Sequence, residues 1–531
     1  MTRRPQILLP LLLAAFAINL DTTIVNVALP TLVRQLHSSD SQLQWIVDAY
    51  NLVFAAALLT AGSLSDRLGR KGMLLSGLAL FAAASIAGSL ATTSGQLIAA
   101  RCFMGLGAAM VFPATLSLLT NAFTDRRERA QAIGLWGATA GAAIALGPIF
   151  GGWLLGRFSW ASIFVAMAPV ALAAGALIAR WVPTSRDATA RRLDGVGFGL
   201  STAAMALIVY TIIEAPNHGW GSARTLGGFA LGLALTSLFI VWERRSAHPM
   251  LDVALFRNPR FSAASGAVTV SFFSLFGFIF IITQYFQFIR SYTPLSAGVH
   301  LLPVAASVAV ASVVGTKLAV RLGTKLVVAA GLVLVAGFYV WVSTSTATTA
   351  YATIAAQMVV YGVGMGLTSA PATESIMGAV PAGKAGVGSA VNDTTRLLGG
   401  TLGVAVLGSV FASVYGTHVA AHLPPALPQH LAALTHTSVG AALALAAHLG
   451  ASGSPLAHPV ATAASNAFIA GSSRACLVAA GVAAAGAVAA ALLLPAQPPA
   501  EPQENSASTD TEMRWGASPG ETRVTAVSSG R

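Results

Sequence analysis

Long apolar runs divide the chain, and their length most constrains what it can fold into. A helix needs roughly 20 apolar residues to cross a bilayer, and fourteen runs of about that length or more follow one another. Only 9% of the 531 residues are charged, whereas about a quarter are charged in an ordinary soluble protein. The sequence therefore predicts an all-α polytopic membrane protein with 14 transmembrane helices. The predicted spans are 7–33, 43–64, 72–92, 96–120, 130–155, 161–182, 195–214, 224–242, 262–289, 294–318, 325–344, 350–376, 386–415 and 466–494.

The basic residues lie in the short loops between these spans, mostly on one side. Twenty fall on the side of the N-terminus and four on the other side. Because cytoplasmic loops carry an excess of Lys and Arg, we expect both termini to be cytoplasmic. The net charge of +12 then reflects topology, and no nucleic-acid partner is expected.

A charged, glycine-containing loop joins spans 2 and 3. Its pattern, Gly-x-Leu-x-Asp-Arg-x-Gly-Arg-Lys, resembles the loop between spans 2 and 3 of the major facilitator superfamily of secondary transporters. We expect its glycines, with Gly72, to allow a tight turn and close helix approach. Asp66 is expected to pair with basic neighbours or a helix end and to hold a cytoplasmic closed state. The candidate gating-loop residues are Gly62, Asp66, Arg67, Gly69, Arg70 and Lys71.

A shorter form of this loop recurs in the second half of the chain. Arg321-Leu322-Gly323-Thr324-Lys325 separates spans 10 and 11, with Val320 in place of the acidic residue. The repeat predicts two related six-helix bundles joined by an inserted helix pair, the duplicated architecture of many transporters. The expected units are a first bundle (1–182), an inserted pair (195–242) and a second bundle (262–494).

Two polar stretches lie outside the predicted spans. Residues 416–465 form an expected outside loop with six histidines. Their spacing fits no metal-ligand pattern, so a partly helical loop lying on the bundle is favoured over a metal site. Residues 495–531 are rich in Pro, Ser, Thr and Glu and predict a disordered cytoplasmic tail.

Asp21 is a carboxylate in the middle of span 1. A charged group at a helix centre costs roughly 2.5 to 3.5 kcal/mol on insertion scales, so its presence favours a functional role. The surrounding Leu20-Asp21-Thr22-Thr23-Ile24-Val25-Asn26-Val27-Ala28-Leu29-Pro30 resembles the first-span signature of fourteen-span drug:proton antiporters of the EmrB/QacA type. That resemblance implies proton coupling at Asp21. The alternative is a structural carboxylate held by Asn19, Thr22 or Arg101.

Asp48 and Arg101 are further proton-coupling candidates. Asp48 lies near the outer end of span 2, where a helix-start carboxylate is as consistent with the sequence as a site residue. Arg101 opens a stretch that resembles the family's span-4 motif, although Met104 replaces the usual Gln. We expect its guanidinium to reach toward span 1, the alternative being an arginine that extends to the membrane interface.

Span 5 carries glycines at helical spacing around one proline. The stretch resembles the antiporter motif Gly-Pro-x-x-Gly-Gly of exporters in this superfamily, which favours export over import. Small residues four apart predict two close-contact faces. The motif residues are Gly137, Gly141, Gly147, Pro148, Gly151 and Gly152.

The second half offers fewer charged candidates. Glu374 lies near the inner end of span 12, and Asp393 and Arg396 are spaced to form a structural ion pair. Span 9 is rich in phenylalanine, for which a lipid-facing position is the default interpretation, although some rings could line a drug cavity. The candidate cavity residues are Glu374, Phe276 and Tyr285.

The chain carries no Gly-rich loop with Gly-Lys-Ser/Thr spacing, so ion-gradient coupling is favoured over ATP. We expect no enzyme activity and no cofactor or metal. The sequence and the resemblance together predict a monomeric, proton-driven exporter of lipophilic or cationic small molecules in a bacterial plasma membrane, working by alternating access. The alternative is a proton-coupled transporter of one metabolite or a self-made antibiotic.

Overall fold

The computed structural model describes residues 4–123, 125–186, 194–247, 249–380 and 385–496. Within these ranges the chain is helical and contains no strand. The predicted tail lies outside the described residues from 497 onward, as do the basic loop residues Arg191, Arg192 and Lys384.

Fourteen helical segments in the described ranges are long and apolar enough to cross a membrane, which confirms the predicted fold class. The tenth is made of α10 and α11 together, and a π-helical turn, Tyr285–Ile289, extends α9. The helices are α1 (Arg4–Leu36), α2 (Asp40–Leu68), α3 (Arg70–Ser89), α4 (Ser94–Ala122), α5 (Arg126–Leu155), α6 (Ser162–Trp181), α7 (Gly195–His218), α8 (Ala223–Arg245), α9 (Pro259–Gln284), α10 (Pro294–Val299), α11 (Leu302–Leu322), α12 (Thr324–Val342), α13 (Tyr351–Gly378), α14 (Ala385–His422), α15 (Gln429–Thr437), α16 (Val439–Ala451) and α17 (Ala457–Leu493).

Two six-helix bundles account for most of the helix packing. In the first bundle α4 packs between α2 and α3, and α1 packs against α5. In the second bundle α9 packs on α14, α12 packs on α17, and α13 packs on α11. Glycines bring backbones together at these crossings, since a Cβ added at Gly77 would lie 2.9 Å from the carbonyl oxygen of Gly107.

In the inserted pair, α7 packs against both bundles through α2 and α14, and α8 packs on α7. Leu52 of α2, Ile212 of α7 and Ala405 of α14 belong to one apolar cluster. The indole nitrogen of Trp220 donates a hydrogen bond of 2.9 Å to Ser413 of α14. The exact division of the chain into three units stays a prediction.

Single glycines make the two related turns. Gly69 joins α2 to α3 with a φ of 117°, and Gly323 joins α11 to α12 with a φ of 87°. Both values lie in the region that side chains disfavour. The sequence repeat therefore corresponds to a repeated backbone geometry. We call the end of the molecule that carries these turns the N-terminal face, because α1 begins there, and the other end the opposite face.

The segment predicted as a long outside loop is more helical than expected. α14 continues to His422 and α17 begins at Ala457, with α15 and α16 between them. The hydroxyl of Tyr415 donates a hydrogen bond of 3.0 Å to the carbonyl of Thr435. A Cβ added at Gly440 of α16 would lie 2.6 Å from Val33 of α1 and 2.8 Å from Phe288 of the π-helical turn. This segment therefore covers the seam between the bundles at the opposite face.

Candidate functional site

A cavity of about 570 Å³ lies between the two bundles. Its volume is in the range of small-molecule sites. The lining of α5 comes from its middle, Trp136 to Ile144, and the lining of α13 from its second half, Met365 to Glu374. Because α13 ends at the N-terminal face, the cavity extends from the middle of the molecule toward that face. Its aromatic wall comprises Phe54, Phe112, Trp136, Phe272 and Phe276.

One wall of this cavity carries charged groups. The guanidinium of Arg396 donates to Thr373 at 3.2 Å, lies 4.0 Å from the carboxylate of Asp393 and sits 5.2 Å from the ring centroid of Phe272. The predicted Asp393–Arg396 pair is thus present and faces the cavity. Glu374 is exposed to the cavity and has no hydrogen-bond or ion-pair partner among the described residues. An apolar, aromatic site with one free carboxylate suits an amphipathic cation.

The span-5 motif makes one contact within the first bundle and one between the bundles. A Cβ added at Gly151 would lie 2.7 Å from Ile24 of α1, in the same bundle, and one added at Gly152 would lie 2.6 Å from the Cα of Leu295 in α10 of the second bundle. In return, a Cβ at Gly298 would lie 2.7 Å from the carbonyl carbon of Pro148. Because α5 ends and α10 begins at the opposite face, the motif closes the seam there.

The first two motif glycines behave differently from the prediction. A Cβ at Gly137 or Gly141 would meet no other atom within 4 Å, and both residues line the cavity. The close contact predicted at these two glycines is therefore absent, since they line the cavity, and the two close-contact faces of α5 lie at Gly151 against α1 and at Gly152 against α10. The close helix approach expected at Gly72 of the gating loop is also absent, because a Cβ there would meet nothing within 4 Å. The expected tight turn is present at Gly69.

Asp21 and Arg101 form an ion pair inside the first bundle. Arg101 Nη1 donates to Asp21 Oδ2, and both side chains are excluded from solvent. Arg101 Nε donates a second hydrogen bond of 3.0 Å to the carbonyl of Ile46, and its guanidinium lies 4.2 Å from the ring centroid of Tyr50. Arg101 thus extends into the bundle and not to the membrane interface. The pair links α1, α2 and α4.

The pair leaves hydrogen-bonding capacity unused. Asp21 Oδ1 and Arg101 Nη2 have no partner among the described residues. Asn19 and Thr22, on either side of Asp21 in sequence, line the cavity, so the carboxylate lies behind the cavity wall. A protonated Asp21 would no longer balance the arginine charge, so proton uptake and the ion pair are in competition.

The helix-start interpretation of Asp48 is wrong. α2 begins eight residues earlier at Asp40, and Ser39 caps it with a reciprocal hydrogen bond to Gln42. Asp48 is fully buried, and neither carboxylate oxygen has a partner among the described residues. An isolated ionised carboxylate is costly to bury. Asp48 therefore remains a candidate for a residue that carries a proton.

The gating loop is held together by polar contacts at the N-terminal face. Arg70 Nε donates to Asp66 Oδ1 at 2.7 Å, as expected for a pair within the loop. Lys71 Nζ donates to the carbonyl of Ala179 in the last turn of α6 at 2.8 Å. Among the residues that the structure describes, Asp66 makes no hydrogen bond or ion pair with the second bundle.

The lipid-facing interpretation of the span-9 phenylalanines is wrong, whereas the role of Tyr285 in a substrate cavity stays a prediction. Phe273, Phe278, Phe280 and Phe286 are buried, so the stripe packs inside the second bundle and does not face lipid. Phe276 lines the central cavity as predicted. Tyr285 does not, because it lines a separate pocket inside the second bundle and donates to the carbonyl of Thr346 at 2.9 Å.

Sequence reasoning missed Tyr50, which stacks on Arg101 and donates to the carbonyl of Ile18 at 3.0 Å. A signal was available, because Gly105 lies four residues after Arg101 on the same helix face. A Cβ at Gly105 would lie 3.2 Å from the Cα of Tyr50, so the glycine brings α4 against α2 there.

The family described as the Major Facilitator Superfamily matches residues 11–404 of the chain. The multidrug efflux pump LfrA of Mycolicibacterium smegmatis is 38% identical over 83% of this chain and 86% of its own length. The methylenomycin A resistance protein of Streptomyces coelicolor is 35% identical over 74% of this chain and 83% of its own length.

A solved structure with the same fold is that of a bacterial homologue of the human lysosomal transporter Spinster, in an inward-facing and occupied conformation. It superimposes with a TM-score of 0.66 at 16% identity, over 93% of this chain and 98% of that chain. At this identity the likeness concerns the fold alone.

Proposed function

Because the chain belongs to the Major Facilitator Superfamily, we propose that it is a proton-driven exporter of lipophilic or cationic small molecules. It is a multi-pass membrane protein and a drug exporter that works by secondary transport. The observation that carries the proton-driven mechanism is the pairing of two features. One is a cavity between the bundles, and the other is the buried Asp21–Arg101 pair behind its wall.

Coupling follows from the competition between the proton and the arginine. Mid-membrane burial favours the neutral form of a carboxyl group, while a nearby guanidinium favours the anion. A conformational change that separates Asp21 from Arg101 therefore raises the affinity of Asp21 for a proton. Protonation from the outside and release to the cytoplasm then drive the cycle, and the coupling equals the difference in proton affinity between the two states.

The cavity supports amphipathic substrates. Its aromatic wall offers apolar contact, and Glu374 offers a free carboxylate to a positive charge. A substrate of this kind partitions into the bilayer and is captured on the cytoplasmic side, which we assign to the N-terminal face from the excess of basic residues. Both termini are then cytoplasmic, in a bacterial plasma membrane, and one chain is sufficient because the cavity lies within it.

In the opposite state the N-terminal face must close. We assign Asp66 of the gating loop to that step, in which it meets a helix end or basic group of the second bundle. Asp66→Asn is expected to abolish transport while the protein still inserts in the membrane, and Asp66→Glu to retain part of it. Full transport activity of Asp66→Asn would show that Asp66 has no gating role.

The second candidate function is export of one compound, such as a self-made antibiotic. The name of the methylenomycin A resistance protein favours it. Accumulation of several unrelated dyes, measured in cells with and without the protein, separates the two. Reduced accumulation of dyes that share only an amphipathic cationic character supports the multidrug function. No change for any dye, with resistance to one antibiotic, would favour the single-substrate transporter.

A further inference from the structure

The segment that follows α6 is in contact with the gating loop. Arg70 N donates to the carbonyl oxygen of Ser185 at 2.9 Å, and Arg70 Nη1 donates to the hydroxyl of Ser185 at 3.0 Å. Asn121, at the end of α4, donates to the same hydroxyl at 3.3 Å. Ser185 therefore joins the gating loop, α4 and the segment leading to the inserted pair.

The backbone contact replaces a missing helix cap. The first amide groups of a helix have no partner within the helix and are commonly satisfied by a side chain at the N-cap. The N-cap of α3 is Gly69, which has no side chain to offer. The carbonyl of Ser185 accepts from the first amide of α3 instead.

The side-chain contact completes the environment of Arg70. One edge of the guanidinium is bound to Asp66 at 2.7 Å and another to Ser185 at 3.0 Å. While both contacts persist, those edges of Arg70 are not available to the second bundle. Because the span-5 motif and α16 close the seam at the opposite face in this structure, we assign the contact to the alternating-access state in which the N-terminal face is open.

We propose that Ser185 is a positioning residue of the gating loop, which holds Arg70 on α6 and α4 and so favours the state with the cavity open at the N-terminal face. The inference rests on the proposed alternating access, in which that face must open and close. It adds a control point on the segment that connects the first bundle to the inserted pair, and the inserted pair contacts both bundles.

Thiol labelling tests the proposal independently of transport. A reporter Gly137→Cys on the cavity wall is placed in a background in which both native cysteines of the chain are replaced (Cys102→Ser/Cys476→Ser). Its labelling by a membrane-impermeant reagent is measured in everted vesicles. We expect Ser185→Ala to slow labelling at least threefold and Ser185→Thr, which keeps the hydroxyl, to restore the rate. Thr184→Ala is the matched control, because Thr184 is exposed and has no recorded hydrogen bond among the described residues.

Each result bears on the proposal separately from the function. Equal labelling of Ser185→Ala and the parent, at equal protein in the membrane, would overturn the proposal even if the parent exports dyes. Slower labelling that Ser185→Thr does not restore would assign the effect to loop folding and also overturn it. Slower labelling with rescue supports it, even if no dye is exported by the parent.

Discussion

Asp21 is the residue whose neutralisation should affect coupling most. Asp21→Asn removes the proton-binding group but keeps the shape and part of the hydrogen bonding to Arg101. We expect uphill efflux and substrate-induced proton release in everted vesicles to fall more than tenfold, with some downhill exchange retained. Normal proton release by this variant would place the coupling site elsewhere, with Asp48 or Glu374 as the leading candidates.

Arg101→Ala should have a different signature. It leaves the Asp21 carboxylate buried without a counter-ion, and removing one partner of a buried ion pair costs about 3 to 5 kcal/mol. We expect a lower thermal midpoint of the detergent-solubilised protein, slower efflux and a weaker dependence of efflux on pH. Arg396→Ala is the control, since Arg396 lines the open cavity and is paired only at 4.0 Å. An unchanged midpoint for Arg101→Ala would contradict a stabilising pair.

For single residues, the sequence predicted which side chains are candidates better than it predicted their burial and contacts. The cost of a mid-span charge identified Asp21, and the span-4 motif led to the expectation that Arg101 reaches toward span 1. Burial of Asp48 and of the span-9 phenylalanines could not be predicted, because apolar residues dominate both the lipid-facing and the protein-facing sides of a membrane helix. Hydrophobic periodicity, which locates the core side of a soluble helix, carries little information there.

At the scale of the helix, the α5 glycines separate packing from cavity roles. A Cβ at Gly151 would lie 2.7 Å from Ile24, whereas one at Gly141 would meet nothing within 4 Å. We therefore expect Gly151→Val to lose transport and lower the thermal midpoint, because the larger side chain would force α5 away from α1 within the first bundle. Gly141→Val should keep the midpoint and alter substrate preference in the cavity. This assignment would be reversed if Gly141→Val lowered the thermal midpoint and Gly151→Val left it unchanged.

Helix positions were predicted to within a few residues at most ends, because charged loops and glycine turns mark them. The helices between residues 416 and 465 were less well predicted. Ala and Leu there form helices too short to cross a membrane, and their placement depends on contacts with Val33 and Phe288, which are distant in sequence.

At the scale of the whole molecule, the basic residues predict its orientation. Reporter fusions at Asp125, Arg191 and Gly520 should report the cytoplasm, and fusions at His37, His218 and His436 the outside. A cytoplasmic signal at His436 would be incompatible with fourteen spans in this orientation.

Alternating access requires the opposite face to open, and α16 lies across the seam that must part. Gly440 of α16 touches Val33 of the first bundle and Phe288 of the second, and a Cβ there would lie 2.6 Å from the former. Gly440→Val should therefore displace α16 and weaken closure of the opposite face. Weakening that contact shifts the equilibrium away from the state in which the N-terminal face is open, because the contact stabilises only that state.

The expected result is slower labelling of the Gly137→Cys reporter in everted vesicles, by about threefold or more. Gly416→Val is the matched control, since Gly416 lies near the end of α14 and a Cβ there would meet nothing within 4 Å. If Gly440→Val labels at the parent rate while the protein remains folded, α16 only covers the surface and does not contribute to closing the seam.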